Sequence, residues 1–408
     1  MGRRQSGQIA RIYAPGFVGN LHFTAAITVP FFTEWGGLQF TQIFLLQSLF
    51  WFSIFLLELP TGLVADRFGR KAFVCGGYAV CAVAVLIYGS VPSFPVFAMA
   101  EVVWGFGITL FSGALDALVY DSLKEEGRPE EAAKVFATSC GLWGLSFGIG
   151  GLIGVEMVKA SDWNVPMMAR AIPFTLGAII LLTAREPRMA DAGDAGEPPA
   201  GKKSIKALAR DFVEVVRASR GFRRWLLATV PFEFVGFYTL WIYAPKFTQV
   251  GLSYEYWGVV VFVTYLLVVA LGKPVKRLSG TRHRRLLSLA GVSLASVVYF
   301  ALALASSPAL AVPLFVALAT CRFAWSSIFA QFLNEEVPSG QRATVLSFVS
   351  TIVSFSTAVT NLFIGALFDA GVGLVLFSFG VLLAFSLPLV ARVPGKRREK
   401  EPLRANPV

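Results

Sequence analysis

The chain has 408 residues, of which 55% are hydrophobic and 14% aromatic, whereas only 15% are charged. This composition, with a mean hydropathy of +0.65, excludes an ordinary soluble domain and indicates an integral membrane protein. The net charge of +11 does not indicate nucleic-acid binding, because the cations lie in polar segments between long apolar runs.

Twelve apolar runs are long enough to cross a hydrocarbon core about 30 Å thick, which takes about 20 helical residues. We number them spans 1 to 12. They cover approximately residues 12–33, 41–65, 72–92, 94–121, 133–158, 166–184, 224–248, 256–272, 286–306, 309–333, 342–367 and 372–393. The segment MGRRQSGQIAR lacks the features of a cleavable signal peptide, so we expect span 1 to remain as an anchor.

The basic residues orient the chain in the membrane. With the N-terminus placed inside, cytoplasmic segments hold all but four of the 36 Lys and Arg residues, and the exceptions are Lys159, Arg170, Lys246 and Arg322. The positive-inside rule then predicts a multi-pass protein of the plasma (inner) membrane with both termini in the cytoplasm. The excess charge faces anionic lipid, and we expect no nucleic-acid partner.

No cofactor or metal site is predicted. The four cysteines, Cys75, Cys81, Cys140 and Cys321, all fall inside spans and have neither a disulfide framework nor metal-ligand spacing. We expect them to be reduced packing residues. A phosphate-binding Gly-x-x-x-x-Gly-Lys-Ser/Thr loop is also missing, which argues against ATP-driven transport by this chain.

A long polar interval separates span 6 from span 7. Its first half is rich in Ala, Gly, Asp and Pro, a composition typical of a flexible linker. Its second half predicts a short amphipathic helix, lying on the inner membrane surface or packed on protein. The apolar positions of that helix are Ile205, Leu208, Phe212, Val215 and Val216. We therefore divide the chain into an N-terminal six-helix bundle (1–185), a linker (186–222), a C-terminal six-helix bundle (223–393) and a basic tail (394–408).

The two halves resemble copies of one unit. The join of spans 4 and 5, ALVYDSLKEEGRPEEAAKVFATS, and the join of spans 10 and 11, AQFLNEEVPSGQRATVLSFVS, share one pattern. In each, an apolar helix ends in an acidic cap, turns, and restarts through a similar sequence. The basic loop GKPVKRLSGTRHRR after span 8 occupies the place of DRFGRK after span 2. This repeat predicts two related bundles.

The loop between spans 2 and 3 carries a ten-residue motif. Residues 62–71 read GLVADRFGRK, and they resemble the signature Gly-x-Leu-Ala-Asp-Arg-x-Gly-Arg-Lys of the major facilitator superfamily, with only Val64 in place of Leu. The resemblance extends from Arg11 to about Arg392. It implies an all-α integral membrane fold, with twelve transmembrane helices in two pseudo-symmetric six-helix bundles around a central cavity. Spans 1, 4, 7 and 10 would line that cavity, and one bundle would rock against the other.

Two further patterns of the superfamily are only partly met. Drug-exporting members usually carry an Arg four residues before a Gly in span 4, where this chain has Glu101 before Gly105. Antiporters usually carry a Gly-Pro turn and then Gly-Gly in span 5, where GLSFGIGGLIGV has Gly151 in the place of Pro. Both departures weaken the assignment to a proton-coupled drug exporter. Small residues at that spacing still predict close helix contact.

Ionisable residues inside spans are candidates for function, because a charge at the bilayer centre costs at least about 2.5–3.5 kcal/mol. Those well inside a span are His22, Glu58, Glu101, Asp116, Glu233 and Arg322. Glu58 precedes Pro60 near the inner surface and is interpreted as local structure. Glu34 and Glu156 lie near outer ends, where we expect solvated positions. The other five lie on the spans that the resemblance assigns to the cavity, and they form the predicted site for substrate and proton coupling.

The predicted roles within this site differ. Arg322 must find an anion, and Glu233, Glu101 or an anionic substrate could supply it; an internal ion pair without a substrate role is the alternative. Glu233, Glu101 and Asp116 are the predicted proton carriers. His22 is interpreted as a neutral hydrogen-bonding residue, with a proton relay as the alternative.

The resemblance also implies a conformational latch at the inner gate. Asp66 would face the start of span 11 near Ser339 to Arg342, and Arg70 would meet Asp121 at the inner end of span 4. These contacts would join the two halves when the cytoplasmic side is shut. The predicted latch residues are Gly62, Asp66, Arg67, Gly69, Arg70, Lys71, Asp121 and Arg342.

We therefore predict a secondary active transporter rather than an enzyme, acting as a monomer. It would move a small organic solute, most simply outward in exchange for protons. A proton-coupled importer of a nutrient or organic anion is the first alternative, and a non-transporting membrane sensor or enzyme is the second. The sequence contains no nucleophile and base pattern and no soluble domain that would support the second alternative.

Overall fold

The computed structural model describes residues 2–187, 205–279, 283–337 and 342–393. Within these ranges every regular element is a helix. Eleven helices in the described ranges are long and apolar enough to cross a membrane. Span 1 crosses in two shorter pieces, which completes the twelve crossings predicted from the sequence.

The helices follow the predicted spans closely. In the N-terminal half, spans 2 to 6 are Phe40–Phe68, Arg70–Ser90, Phe94–Glu125, Ala132–Ala160 and the pair Asn164–Ala169 and Ala171–Leu182. In the C-terminal half, spans 7 to 12 are Arg220–Gln249, Trp257–Ser279, Arg284–Leu304, Pro308–Glu336, Arg342–Asp369 and Val372–Val390. Alternate spans run in opposite directions, so the start of span 1, the linker helix Ile205–Ala218 and the end of span 12 lie on one face, called here the linker face.

Span 1 is interrupted near its middle, where the apolar pattern alone predicts one continuous helix. Gly2–Gly19 ends before residues 20–27, and helical structure resumes at Thr28–Pro30 and Phe31–Trp35. Short-range polar bonds replace the helical pattern in the gap: the Asn20 amide donates to the Gly16 carbonyl at 2.5 Å. Polar side chains that bond to nearby groups in this way compete with a helix.

Glycines of span 5 pack directly against the backbone of the interrupted segment of span 1. A Cβ atom added to Gly154 would lie 1.6 Å from the Phe23 carbonyl oxygen, and one added to Gly150 would lie 2.4 Å from the His22 backbone nitrogen. Only hydrogen fits at these places. The glycine-rich pattern of span 5 therefore provides the close contact that its spacing predicts, and its partner is the broken part of span 1.

Two apolar cores correspond to the two halves. One core contains only residues between Ile12 and Ala184. The other consists mostly of residues beyond Val215, together with a few from spans 1, 2 and 5 that lie where the halves meet. The contact between halves is made chiefly by span 2 against span 11 and by span 5 against span 8. The central space thus lies between two packed units.

One ion pair recurs at matching places in the two halves. Arg70 at the start of span 3 pairs with Asp121 near the end of span 4. Arg284 at the start of span 9 pairs with Glu335 near the end of span 10. The separation along the chain is 51 residues in both cases. The pairs support the internal repeat, since they join the same two helices of each unit.

The linker contains the amphipathic helix Ile205–Ala218. It packs on spans 7 and 11, with Val215 only 3% exposed and the Phe212 ring 6.3 Å from that of Phe222. Arg223 donates to the carbonyls of Val216 and Arg217 at the end of this helix. The apolar side chains described near the end of this helix therefore contact protein, which is one of the two expected positions.

Candidate functional site

A central cavity of about 230 Å³ lies between the two halves. The N-terminal half supplies its charged residues and its histidine, together with other polar groups: His22, Thr24, Thr28, Gln47, Tyr88, Glu101 and Arg170. The C-terminal half supplies Leu240, Trp241, Tyr243, Val261, Thr264, Tyr265 and Phe315. Spans 2, 3, 5, 6 and 8 contribute in addition to the four that the resemblance implies.

Glu101 lies on span 4 with only 2% of its surface exposed. The Gln47 side-chain amide of span 2 donates to its Oε1 at 2.7 Å, and the Tyr88 hydroxyl of span 3 lies beside the carboxyl group. Among the described residues, no Lys, Arg or His nitrogen lies within 4.0 Å of this carboxyl. Neutral donors therefore hold a carboxyl group that solvent scarcely reaches.

Arg170 lies at the junction of the two helices of span 6 and is 6% exposed. Its guanidinium carbon is 4.7 Å from the Trp104 ring centroid and 5.5 Å from that of Phe174. One terminal nitrogen donates to the Thr24 hydroxyl at 3.4 Å, while Nε has no hydrogen-bond partner in the structure. No carboxylate of the described residues lies within 4.0 Å of this cation.

His22 belongs to the interrupted part of span 1. Its Nδ1 atom lies 3.1 Å from the Thr24 hydroxyl, and its ring lies 4.5 Å from the Phe147 ring of span 5. Thr24 is thus shared between His22 and Arg170. The break in span 1 places His22 and Thr24 together at the cavity, whereas a continuous helix would turn two side chains at this spacing to opposite faces.

Aromatic side chains form the facing wall. The Tyr265 ring of span 8 lies 4.9 Å from Phe147, and the Tyr243 hydroxyl of span 7 donates to the Ala25 carbonyl at 3.4 Å. Trp241 lies 5.2 Å from Phe44 of span 2. Each contact crosses from one half to the other. The cavity therefore has a charged wall on one side and a wall of rings on the other, an arrangement suited to an amphipathic ligand.

The two halves are held together at the face opposite the linker. The Asp369 carboxylate at the end of span 11 accepts hydrogen bonds from the Phe40 and Thr41 backbone nitrogens, at 2.8 and 2.9 Å. It also accepts the Thr41 hydroxyl at 2.6 Å. These N–H groups are the unsatisfied donors at the start of span 2, where the helix dipole favours an anion. We call these contacts the Asp369 clamp.

Other contacts reinforce this closure. The Phe40 and Phe368 rings stack at 5.2 Å, and the Trp163 ring lies 5.1 Å from Tyr254 at the neighbouring join of spans 5 and 8. A Cβ atom at Gly365 would lie 2.6 Å from the Thr41 Cα. Close backbone approach and ring packing thus support the Asp369 clamp.

Comparison with known proteins identifies the architecture. Residues 16–360 match the Major Facilitator Superfamily. This chain belongs to that superfamily. It is therefore a multi-pass membrane protein of a transporter family, rather than a member of an enzyme family. No curated protein matches the chain significantly in sequence.

Solved structures of superfamily members share the fold. The nucleoside transporter NupG aligns with a TM-score of 0.72 at 13% identity, over 94% of this chain and 99% of that one. A bacterial homologue of the human lysosomal transporter Spinster, solved inward-facing and unoccupied, aligns with a TM-score of 0.70 at 17% identity, covering 95% and 96%. The human organic anion transporter MFSD10 aligns with a TM-score of 0.60 at 14% identity, covering 95% and 99%. At these identities the likeness concerns the fold alone.

The superfamily signature loop makes contacts within the N-terminal half. Gly69 joins spans 2 and 3 with φ of 93°, a conformation that favours glycine. The Lys71 ammonium donates to the carbonyls of Leu182 and Ala184 at 2.8 and 2.6 Å. Its backbone nitrogen donates to Glu186 at 3.1 Å. These contacts fasten the start of span 3 to the end of span 6.

The ion pair between Arg70 and Asp121, which the resemblance implies, is present. Both residues belong to the N-terminal half, however, so this pair alone cannot join the halves as the latch hypothesis requires. Gly62, Asp66 and Arg67 lie near the linker-face end of span 2 and Arg342 begins span 11. Their side chains, and the whole of Ser339, lie outside the described part of the structure, so the remainder of the latch stays a prediction.

Three of the five predicted coupling residues lie away from the cavity lining. Asp116 is exposed, near Tyr13 and Cys140 toward the linker face. The Glu233 carboxyl lies beside Ser326 and near Arg322, but the two charged groups are more than 4.0 Å apart. The Arg322 guanidinium lies 4.7 Å from the Phe323 ring centroid. Only His22 and Glu101 of the predicted set line the cavity.

Sequence reasoning missed Arg170 as a site residue. It was noted only as one of four cations outside the cytoplasmic segments, although it falls inside predicted span 6 in MMARAIPF. Lys246, another of the four, donates to Gln249 and to the Ala303 carbonyl, and Lys159 pairs with Glu156 at 2.7 Å. An arginine within an apolar run was the available signal, and its nearness to the end of the run concealed it.

Proposed function

We propose that the protein is a proton-coupled secondary transporter that moves a small organic solute by alternating access, exporting it in exchange for protons. It would act as a monomer in the plasma membrane, with both termini and the linker face in the cytoplasm. The central cavity would hold the solute, and Glu101 would carry the proton. The single observation that carries the proposal is the Glu101 carboxyl group, which lies in the wall of the central cavity with no cationic nitrogen of the described residues within 4.0 Å.

The physical argument rests on the environment of Glu101. Burying an uncompensated carboxylate is costly, and such a group favours the neutral acid. Gln47 and Tyr88 are neutral donors, so they orient the carboxyl group without supplying a charge. When the cavity opens to water, the charged form becomes accessible and the proton can leave. A change in hydration would thereby couple proton movement to opening and closing.

The closed face fits the state in which an exporter would take up its solute. The Asp369 clamp and the rings around it hold the halves together at the face opposite the linker, so this state would receive solute from the linker face. The distribution of Lys and Arg favours a cytoplasmic position for that face. Rocking of the halves would break the clamp, release the solute outside and expose Glu101 to external protons.

The test uses sealed proteoliposomes of the full chain that contain the pH indicator pyranine. Benzenesulfonate and benzyltrimethylammonium serve as probes, because each has one ring and a permanent charge and therefore carries no proton through lipid by itself. A gradient of a transported probe should drive proton movement. Glu101→Gln should abolish this coupled movement, since the amide cannot release a proton, while Glu34→Gln at an exposed site should retain it.

Two outcomes would contradict the proposal. One is the absence of proton movement with either probe. The other is coupled movement in Glu101→Gln that equals the wild type. Glu233→Gln provides the comparison with the acid near Arg322: if it abolishes coupling and Glu101→Gln does not, the proton carrier is Glu233.

A second candidate function is proton-coupled uptake of an organic anion. The observation that favours it is Arg170, which lines the same cavity as Glu101 and has no carboxylate of the described residues within 4.0 Å. An anion bound to Arg170 and a proton bound to Glu101 would leave the occupied cavity with no net charge, which suits joint movement in one direction. The proteoliposome assay distinguishes the two functions, because uptake moves protons along with the probe and exchange moves them against it.

A further inference from the structure

We propose that Arg170 binds the anionic group of the transported solute, and that this solute is a small organic anion built on about one ring. The inference rests on the proposed function for the statement that the ligand is transported. The binding site itself follows from the geometry of the cavity.

Arg170 is almost wholly buried yet unpaired. Only 6% of the residue is exposed, it lines the central cavity, and the Thr24 hydroxyl at 3.4 Å is the one hydrogen-bond acceptor found for it in the described structure. A guanidinium group has five N–H donors and cannot lose its charge inside a protein. Most of its capacity for hydrogen bonds is therefore free for a ligand.

The guanidinium group is also oriented before a ligand arrives. Trp104 and Phe174 approach it at 4.7 and 5.5 Å, which stabilises the cation through the rings. Such contacts leave N–H donors available for the bidentate bonds that carboxylate, sulfonate and phosphate groups accept. An anion in the cavity would therefore find a fixed pair of donors.

If Arg170 only formed an ion pair within the protein, Glu101 would be its most suitable partner. Both residues line the same cavity, and an ion pair would compensate both charges. The Glu101 carboxyl group instead accepts a hydrogen bond from Gln47 and lies beside the Tyr88 hydroxyl. It is more than 4.0 Å from the Arg170 guanidinium. The positive charge of Arg170 is thus available to an anionic ligand.

The rest of the cavity limits the body of the ligand. An apolar cavity of about 150 Å³ accommodates benzene, and drug-sized ligands occupy about 300–1,000 Å³. The volume of about 230 Å³ lies between these values and fits one substituted ring. Trp241, Tyr243 and Tyr265 on the facing wall supply surfaces for such a ring.

Arg322 provides the matched control. It is the other arginine within a span that is isolated from the cytoplasmic clusters, and its guanidinium likewise lies over a ring, that of Phe323. It does not line the central cavity; it borders a separate small void beside Gly236 and Tyr299. Removing its charge should therefore leave ligand binding in the cavity intact.

The experiment measures binding to purified full-length protein in lipid nanodiscs, without any pH gradient, by calorimetric titration. The probes are benzoate and benzenesulfonate, their neutral counterparts benzamide and benzenesulfonamide, and the cation benzyltrimethylammonium. Wild type should bind the anions at least tenfold more tightly than the amides, as hydrogen bonds to a charged group predict. Arg170→Gln should lose this preference, and Arg322→Gln should keep it.

Arg170→Lys keeps the inference testable if Arg170→Gln fails to fold. Lysine retains the positive charge but lacks the planar guanidinium group. The lysine variant should still prefer anions to amides, with an affinity below that of wild type. The inference is overturned if wild type binds the anions no better than the amides, if it prefers the cation, or if Arg170→Gln binds the anions as wild type does. Loss of proton coupling with intact anion binding would refute the proposed function and leave this site standing.

Discussion

The two halves of the molecule share a plan but differ in what they contribute to the cavity. The N-terminal half provides Glu101, Arg170 and His22, whereas the C-terminal half provides rings and aliphatic side chains. The C-terminal half has its own acid and arginine, Glu233 and Arg322, but the central cavity does not include them. Equivalent folds have thus been given unequal chemical tasks.

This difference indicates where recognition and movement reside. A charged wall on one rigid unit can fix the polar end of a ligand, while the wall of rings on the other unit can separate from it without breaking strong polar bonds. The break in span 1 and the junction in span 6 belong to the charged half, so the less regular helices coincide with the chemistry. The following variants probe that asymmetry.

The largest effect is expected where the charged half depends on close packing. Gly154→Ala would place a Cβ atom 1.6 Å from the Phe23 carbonyl oxygen, and backbone cannot move aside as a side chain can. We expect a loss of stability at or above the upper end of the about 1–3 kcal/mol that overpacking costs. A lowered thermal unfolding temperature in detergent would show it.

Two matched glycines calibrate this result. Gly141→Ala in the same helix meets nothing within 4 Å and should leave the unfolding temperature nearly unchanged. Gly291→Ala in the C-terminal half meets the Trp325 side chain at 1.7 Å. This ring can yield only by losing its hydrogen bond to the Leu287 carbonyl, so the cost should fall between the other two. Equal effects of all three substitutions would refute the claim that span 1 depends on the span 5 glycines.

A smaller effect is expected at the repeated ion pairs. The Arg284 side chain is 4% exposed and also lies 4.8 Å from the Phe332 ring, so Arg284→Gln should destabilise the fold by about 1–3 kcal/mol. The Arg70 and Asp121 side chains are 22% and 27% exposed, and Arg70→Gln should cost about 0–1 kcal/mol. Thermal unfolding of both variants at low and high salt would test whether Arg284→Gln is the more destabilising. A larger loss of stability in Arg70→Gln would contradict this prediction.

At the Asp369 clamp the expected effect is on conformation more than on stability. Asp369→Ala removes the acceptor for the start of span 2, and lost helix caps cost about 0.5–2 kcal/mol. The fold should persist while the population of the closed state falls. Spin labels at the exposed positions Val91 and Tyr256, in a cysteine-free background, would report longer distances across this face.

Asp369→Asn keeps one acceptor oxygen and should give a distribution of spin-label distances between those of wild type and Asp369→Ala. Glu34→Ala on the same face should give the wild-type distribution. An unchanged distribution in Asp369→Ala would show that ring packing alone closes the face.

The architecture could be read from the sequence because its signals are local and strong. Apolar runs of membrane length, the distribution of Lys and Arg and the ten-residue motif predicted twelve crossings and two halves, and the ends of spans such as Arg70–Ser90 and Pro308–Glu336 lie within a few residues of expectation. The close packing of the span 5 glycines and the pairing of Arg70 with Asp121 were also foreseen.

The site was harder to predict, because it depends on which side chains meet across helices. Hydropathy identifies Glu101 and Asp116 alike as acids in span 4, but only the packing shows that one is buried beside Gln47 and the other exposed. Arg170 lay too near the end of an apolar run to stand out. The interruption in span 1 has no proline at its centre, and it follows from polar side chains and from glycines far along the chain.

The Asp369 clamp has a consequence for sequence variation at its other end. Its main partners are backbone N–H groups, so the identity of the residue at position 40 hardly matters to those bonds. Any amino acid there except proline can donate equally well. A natural variant could therefore change the side chain at position 40 without losing these backbone bonds, provided that the carboxylate on span 11 persists, and a proline at position 41 would remove a donor that no other substitution removes.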